Sequence, residues 1–88
     1  MHFHRLERTV RGFSNHRRIQ IMNLLQKLPE LSLAEITDHL KINMKTGSEH
    51  VRRLAIAGLV LKRSEGNAVR HALTDKGQRI LKFLRTLE

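Results

Sequence analysis

A mainly α-helical domain carrying one small β-hairpin is predicted by three features of this 88-residue sequence. Apolar residues recur at three- and four-residue spacing along most of the chain, strand-like patterning is confined to residues 59–73, and a Gly-Asn pair divides that stretch. The length allows a single domain with a small core, and 40% apolar residues fit a soluble globular chain. No apolar run approaches the roughly 18 residues of a membrane span. The opening Met1-His2-Phe3-His4-Arg5 does not begin a signal peptide, so a cytoplasmic location is expected. The absence of cysteine excludes disulfides, thiolate metal sites and thiol redox chemistry.

Each element follows from local pattern. Phe3, Leu6, Val10 and Phe13 form the stripe of an amphipathic first helix, expected over residues 2–12, with Arg5, Glu7, Arg8 and Arg11 outside it. Gly12 to Asn15 interrupts it, and Ser14 or Asn15 can cap a second helix. There Ile19, Met22, Leu25 and Leu28 are the expected buried stripe, widened by Ile21 and Leu24, and Pro29-Glu30 ends it. Ser32-Leu33-Ala34-Glu35 has capping-box form and opens a short helix with Ile36 and Leu40 inward. Lys41-Ile42-Asn43 is a turn, Asn43 caps a fourth helix over 44–57, and Gly58 supplies its left-handed stop. Leu59–Arg63 and Ala68–Leu73 read as two strands about Gly66-Asn67, the second with Val69, His71 and Leu73 on one face and Arg70 on the other. Thr74-Asp75 starts a last helix over 75–87. Its Ile80, Leu81, Phe83, Leu84 and Leu87 span an apolar arc of about 160°, wider than one core contact uses. Two short helices joined by a three-residue turn and followed by a basic hairpin describe a winged helix–turn–helix.

Charge suggests the partner. Seventeen Lys and Arg against eight acids give a net +9, the balance of a protein that meets a polyanion, most often nucleic acid. Residues 1–20 carry +4 and 41–70 carry +5, whereas 21–40 carry −2, so one face is expected to be positive. The lack of Trp and Tyr, with only three Phe near the ends, argues against an aromatic platform for single strands. Duplex DNA is the expected partner.

From Phe13 to Thr74 the sequence resembles the ArsR/MarR-type winged-helix transcriptional regulators. The likeness rests on Phe13-Ser14-Asn15 with Arg18 to Met22, on the run Thr46 to Val60, on Glu65-Gly66 in the hairpin, and on Leu73-Thr74-Asp75-Lys76-Gly77 after it. It implies a DNA-binding homodimer joined through its first and last helices, here through Phe3, Leu6, Val10, Phe83, Leu84 and Leu87. The sequence departs from the family pattern at Gly47, Glu49, Arg53 and Ile56. Ser32 and Ala34 stand where metal sensors carry a Cys-x-Cys pair, so no metal and no cofactor is implied, and no small-molecule effector is specified.

Setting Val51, Leu54 and Gly58 toward the core turns Lys45, Glu49, Arg52, Arg53 and Ile56 outward, with Thr46 and Ser48 on the flanks. Lys45, Thr46, Ser48, Glu49 and Arg52 are therefore the expected base readers: Lys and Arg suit guanine O6/N7, Ser and Thr either base, and Glu cytosine N4. The plainer alternative is a solvated face with Glu49 and Arg53 paired. Lys62, Arg63, Asn67 and Arg70 of the hairpin suit phosphates or the minor groove, or else merely keep the edge soluble. Arg17 and Arg18 are phosphate clamps or partners of Glu30, Glu35 or Asp38, the latter favoured for Arg18. The histidines, including the His2/His4 pair, lack the spacing of a helical metal site. Ser48 and His50 fall on different helix faces, so no enzyme is expected. A sequence-specific DNA-binding regulator leads. A winged-helix module that binds protein or RNA without duplex specificity is the alternative, with Ile56 in its favour.

Overall fold

Capping chemistry local to each turn sets the element boundaries. In the computed structural model, which describes residues 1–88, the order is α1 (Phe3–Phe13), α2 (His16–Lys27), α3 (Leu33–Leu40), α4 (Met44–Ile56), β1 (Val60–Glu65), β2 (Ala68–Leu73) and α5 (Asp75–Arg85). Asn15 accepts from the backbone N–H groups of Arg17 and Arg18 at 2.9 and 3.2 Å. Ser32 and Glu35 complete a reciprocal capping box at 3.1 and 2.9 Å. Asn43 accepts from the Thr46 N–H at 2.8 Å. Thr74 accepts from the Gly77 N–H at 3.0 Å and donates its hydroxyl to the Gly58 carbonyl at 2.6 Å, tying the start of α5 to the end of α4. These contacts satisfy N–H groups that the helices cannot satisfy themselves.

α2 is the centre of the packing, touching α1, α3, α4, α5 and β2. Its Ile21, Met22 and Leu25 join Phe13, Ile36, Val51, Leu54, Leu59, Val60 and Leu81 in one core. The buried arc of α2 is thus rotated from the expected one. Ile19 is only half-buried and Leu28 is exposed, because α2 is enclosed on several sides and the chain turns away at its end. Leu31 forms a β-bridge to His71 just beyond that turn: the Glu30 N–H donates to the His71 carbonyl and the His71 N–H to the Leu31 carbonyl, both at 2.9 Å. The buried His71 ring also places Nδ1 2.8 Å from the Leu31 oxygen, so this nitrogen carries the proton.

β1 and β2 pair antiparallel from Val60↔Leu73 to Glu65↔Ala68, which continues β1 two residues past the expected Arg63. Gly66, at φ +60°, takes the first position of the two-residue turn. Of the expected inward face, His71 is buried and Leu73 half-buried, but Val69 is exposed because the hairpin runs on past the core.

Two glycines, one within α4 and one just past its end, have separate roles. Gly47 is buried where α4 crosses α3, and a Cβ there would collide with the Thr37 methyl. The branched residue of the family pattern cannot fit at this crossing. Gly58, expected on the core side, is exposed and serves through its φ of +76° instead.

Candidate nucleic-acid interface

α4 presents the polar face that the sequence arithmetic assigns to it. Val51 and Leu54 lie in the core, and Lys45, Thr46, Ser48, Glu49, Arg52, Arg53 and Ile56 are all exposed. Asn43 caps the start of this helix and Gly47 packs it closely on α3, so its first two turns are anchored where they project from the surface.

Within that face one carboxylate organises two cations. Arg52 donates Nε to Glu49 Oε2 at 3.1 Å and Nη2 to Oε1 at 2.9 Å, and Arg53 donates Nε to Oε1 at 2.9 Å. Hydrogen bonds from Arg52 and then Arg53 hold the Glu49 carboxyl down at about 2. The Arg52 guanidinium is pushed up in return, chiefly by its hydrogen bond to Glu49. The Arg53 pair is the i,i+4 one visible in the sequence. The Arg52 pair, at i,i+3, carries the same kind of signal.

The wing divides its four candidate residues. Lys62 and Asn67 are exposed. Arg63 and Arg70 face each other across the strands, an unfavourable like-charge pair unless acids intervene. Three do. Arg63 Nη2 lies 3.0 Å from Glu30 and 2.9 Å from Glu65, and Arg70 Nη1 lies 3.1 Å from Glu35 and 3.5 Å from the Glu30 carbonyl oxygen. Hydrogen bonds to Glu30 and then Glu65 push the Arg63 guanidinium up. The wing is thereby strapped to the α2–α3 connection, a link between residues some 33 to 40 positions apart that no local pattern signals.

With Glu30 and Glu35 so engaged, Arg18 does not take an acidic partner. It donates Nη1 to the Arg11 and Gly12 carbonyls at 3.0 and 3.4 Å, and Nε to His50 Nδ1 at 3.2 Å. The position explains this: Arg18 stands beside the C-terminal carbonyls of α1, which attract a cation. His50 must be neutral to accept this bond, and burial, then the Arg18 charge, push its pKa down. Arg17 reaches only Gln20, at 3.1 Å. His2, His4, His16 and His39 are exposed, the first two side by side at the start of α1.

The terminal helices leave apolar surface open. Phe3, Leu6, Val10, Phe83 and Leu87 are exposed, two of them by 75% and 65%, and Leu84 is half-buried against the core. α1 packs on α2 and α4, whereas α5 packs on α2 and β2, so the two do not wrap round one another to hide these residues. No helix is long and apolar enough to cross a membrane.

Residues 15–77 match the winged helix DNA-binding domain family. The chain belongs to that family. Among solved structures the winged helix resembles HlyU from Vibrio cholerae, at 27% identity over 99% of this chain and 97% of the other, with a TM-score of 0.84. It also superposes on a homodimeric winged helix-turn-helix DNA-binding domain from Mycobacterium bovis, described as a possible ArsR-family transcriptional regulator. That match has 24% identity over 97% of this chain and 79% of the other, with a TM-score of 0.88. FabT from Streptococcus pneumoniae, solved in complex with DNA, matches at 16% identity over 80% of this chain and 51% of the other, with a TM-score of 0.73. At such identities the last two show the shared fold. No curated protein matches the chain.

Proposed function

We propose that this winged helix is a sequence-specific duplex-DNA-binding transcriptional regulator, acting as a homodimer in the cytoplasm. The observation that carries the reading is the exposed, anchored face of α4, with Lys45, Thr46, Ser48, Glu49 and Arg52 projecting together beside a basic wing. A helix of this kind lies in the major groove with the N-terminal residues on base edges. Lys62 and Asn67 at the wing, with the strapped Arg63 and Arg70, follow the phosphates or the minor groove. The family match to a DNA-binding domain and the likeness to DNA-bound FabT support the same partner.

The chain works by binding, in this reading, and carries no reaction. His50, the one histidine near an α4 hydroxyl in sequence, has its Nδ1 occupied by Arg18. Dimerisation through Phe3, Leu6, Val10, Phe83, Leu84 and Leu87 is supported by the exposed apolar surface of α1 and α5 and by the homodimeric M. bovis domain. Binding selection from a pool of random duplexes tests the function. A pseudo-palindromic motif with half-sites about 10–10.5 base pairs apart is expected. Retention without any enriched motif would favour instead a module that docks protein or RNA, for which Ile56, 69% exposed on α4, and the exposed Met44 offer apolar contacts.

A further inference from the structure

Glu49 is the only acid on α4, and it sits among the proposed base readers with both neighbouring arginines in hand. We infer that Glu49 determines specificity: it clamps Arg52 and Arg53 in the free protein, and a C·G base pair, which offers both Glu49 and Arg52 a new partner, draws Arg52 from that clamp more readily than phosphates do. The inference rests on the regulator reading and names the base pair that such a regulator prefers.

The chemistry is an exchange of partners. On random duplex, Arg52 can reach a phosphate only by leaving a bidentate carboxylate, and the carboxylate, left with Arg53 alone, then stands in the field of the phosphates. On a cognate pair, cytosine N4–H₂ donates to Glu49 as Arg52 leaves and guanine O6/N7 accept both Arg52 donors, so neither group is left without a hydrogen-bond partner, and Arg53 keeps its bond to Glu49. The spacing suits the exchange. Three residues along a helix advance about 4.5 Å, and one base step is about 3.4 Å, so Glu49 and Arg52 address the same or adjacent pairs. The Glu49 carboxyl, held at about 2, is an ionised acceptor throughout the physiological range. Lys45 makes no such bargain, since no carboxylate holds it.

Glu49→Gln keeps the shape and removes the charge. The control is Asp38→Asn, the same charge change at an exposed residue of α3 that forms no ion pair. Both variants and wild type are titrated with the duplex selected by wild type and with its scrambled form. E49Q is expected to bind scrambled duplex several-fold more tightly, with a salt slope steeper by about 0.9 for the arginine released to a phosphate. Its preference for the selected duplex should fall about tenfold, and a repeated selection should lose cytosine at one position of each half-site. D38N should shift both duplexes alike and keep the preference. If E49Q behaves as D38N does, Glu49 is an ordinary surface charge and the inference is overturned. A wild type with no preferred duplex would overturn the regulator reading, and the specificity role with it. The two failures are distinct, because in the first wild type still prefers a sequence.

Discussion

Replacing Gly47 with alanine would ordinarily strengthen a helix by up to about 1 kcal/mol. Here the added methyl meets the Thr37 methyl, and Thr37 cannot turn away, because its hydroxyl donates to the Leu33 and Ala34 carbonyls, each at 3.1 Å. Gly47→Ala should therefore cost about 1–3 kcal/mol, and Thr37→Ser, which keeps the hydroxyl and deletes the methyl, should restore most of it. Urea unfolding of the double-mutant cycle checks this; strictly additive effects would contradict it. The sequence shows an odd glycine here, but its reason lies in a contact across two helices. His50 gives a second residue-scale test. Its pKa is lowered in the fold, so below the ordinary value of 6.5 the unfolded chain takes up a proton that the folded chain resists. Stability from this group is thus lost as pH falls from 6.5 toward the folded value, and is unaffected above it. Thermal melts at pH 7.5 and 5.5 should show a smaller acid loss in His50→Gln than in wild type. Equal losses would show that the Arg18–His50 bond does not couple to protonation.

Elements were legible wherever their signal is local. Asn15, Ser32, Asn43 and Thr74 each cap a helix through a partner two or three residues on, and that relation is written in the sequence itself. What depends on packing was not legible. The rotation of α2 that exposes Leu28, the Leu31–His71 bridge, and the acids that hold Arg63 and Arg70 all require knowing which elements meet. The wing shows the consequence for function, since two of its three bases are already occupied within the chain. Such exposed pairs are weak in water, and phosphates can compete for them. Lys62→Ala and Arg63→Ala should each weaken selected and scrambled duplex about equally and flatten the salt slope by about 0.9. A change in the selected motif, measured by repeated selection, would assign the wing a base-reading role instead.

At the scale of the molecule, the apolar residues left open on α1 and α5 call for a cover, because contiguous exposed apolar patches mark interaction surfaces. In the proposed homodimer a two-fold mate would bury them in a self-complementary interface and could set two copies of α4 one DNA turn apart, about 34 Å. Sedimentation at micromolar concentration should give twice 10.3 kDa for wild type and 10.3 kDa for Phe83→Glu. A wild-type monomer would contradict the interface. The width of the apolar arc on the last helix was readable in the sequence, whereas the separate packing of α1 and α5 was not, since it follows from α2 lying at the centre. The central claim, that α4 reads duplex DNA, is tested most directly by titrating wild type and Arg52→Ala against selected and scrambled duplexes over a range of salt. Wild type should show a steep salt dependence, and R52A should lose about 1–3 kcal/mol on the selected duplex with relaxed preference. Unchanged affinity and preference in R52A, or a wild-type slope near zero, would contradict it.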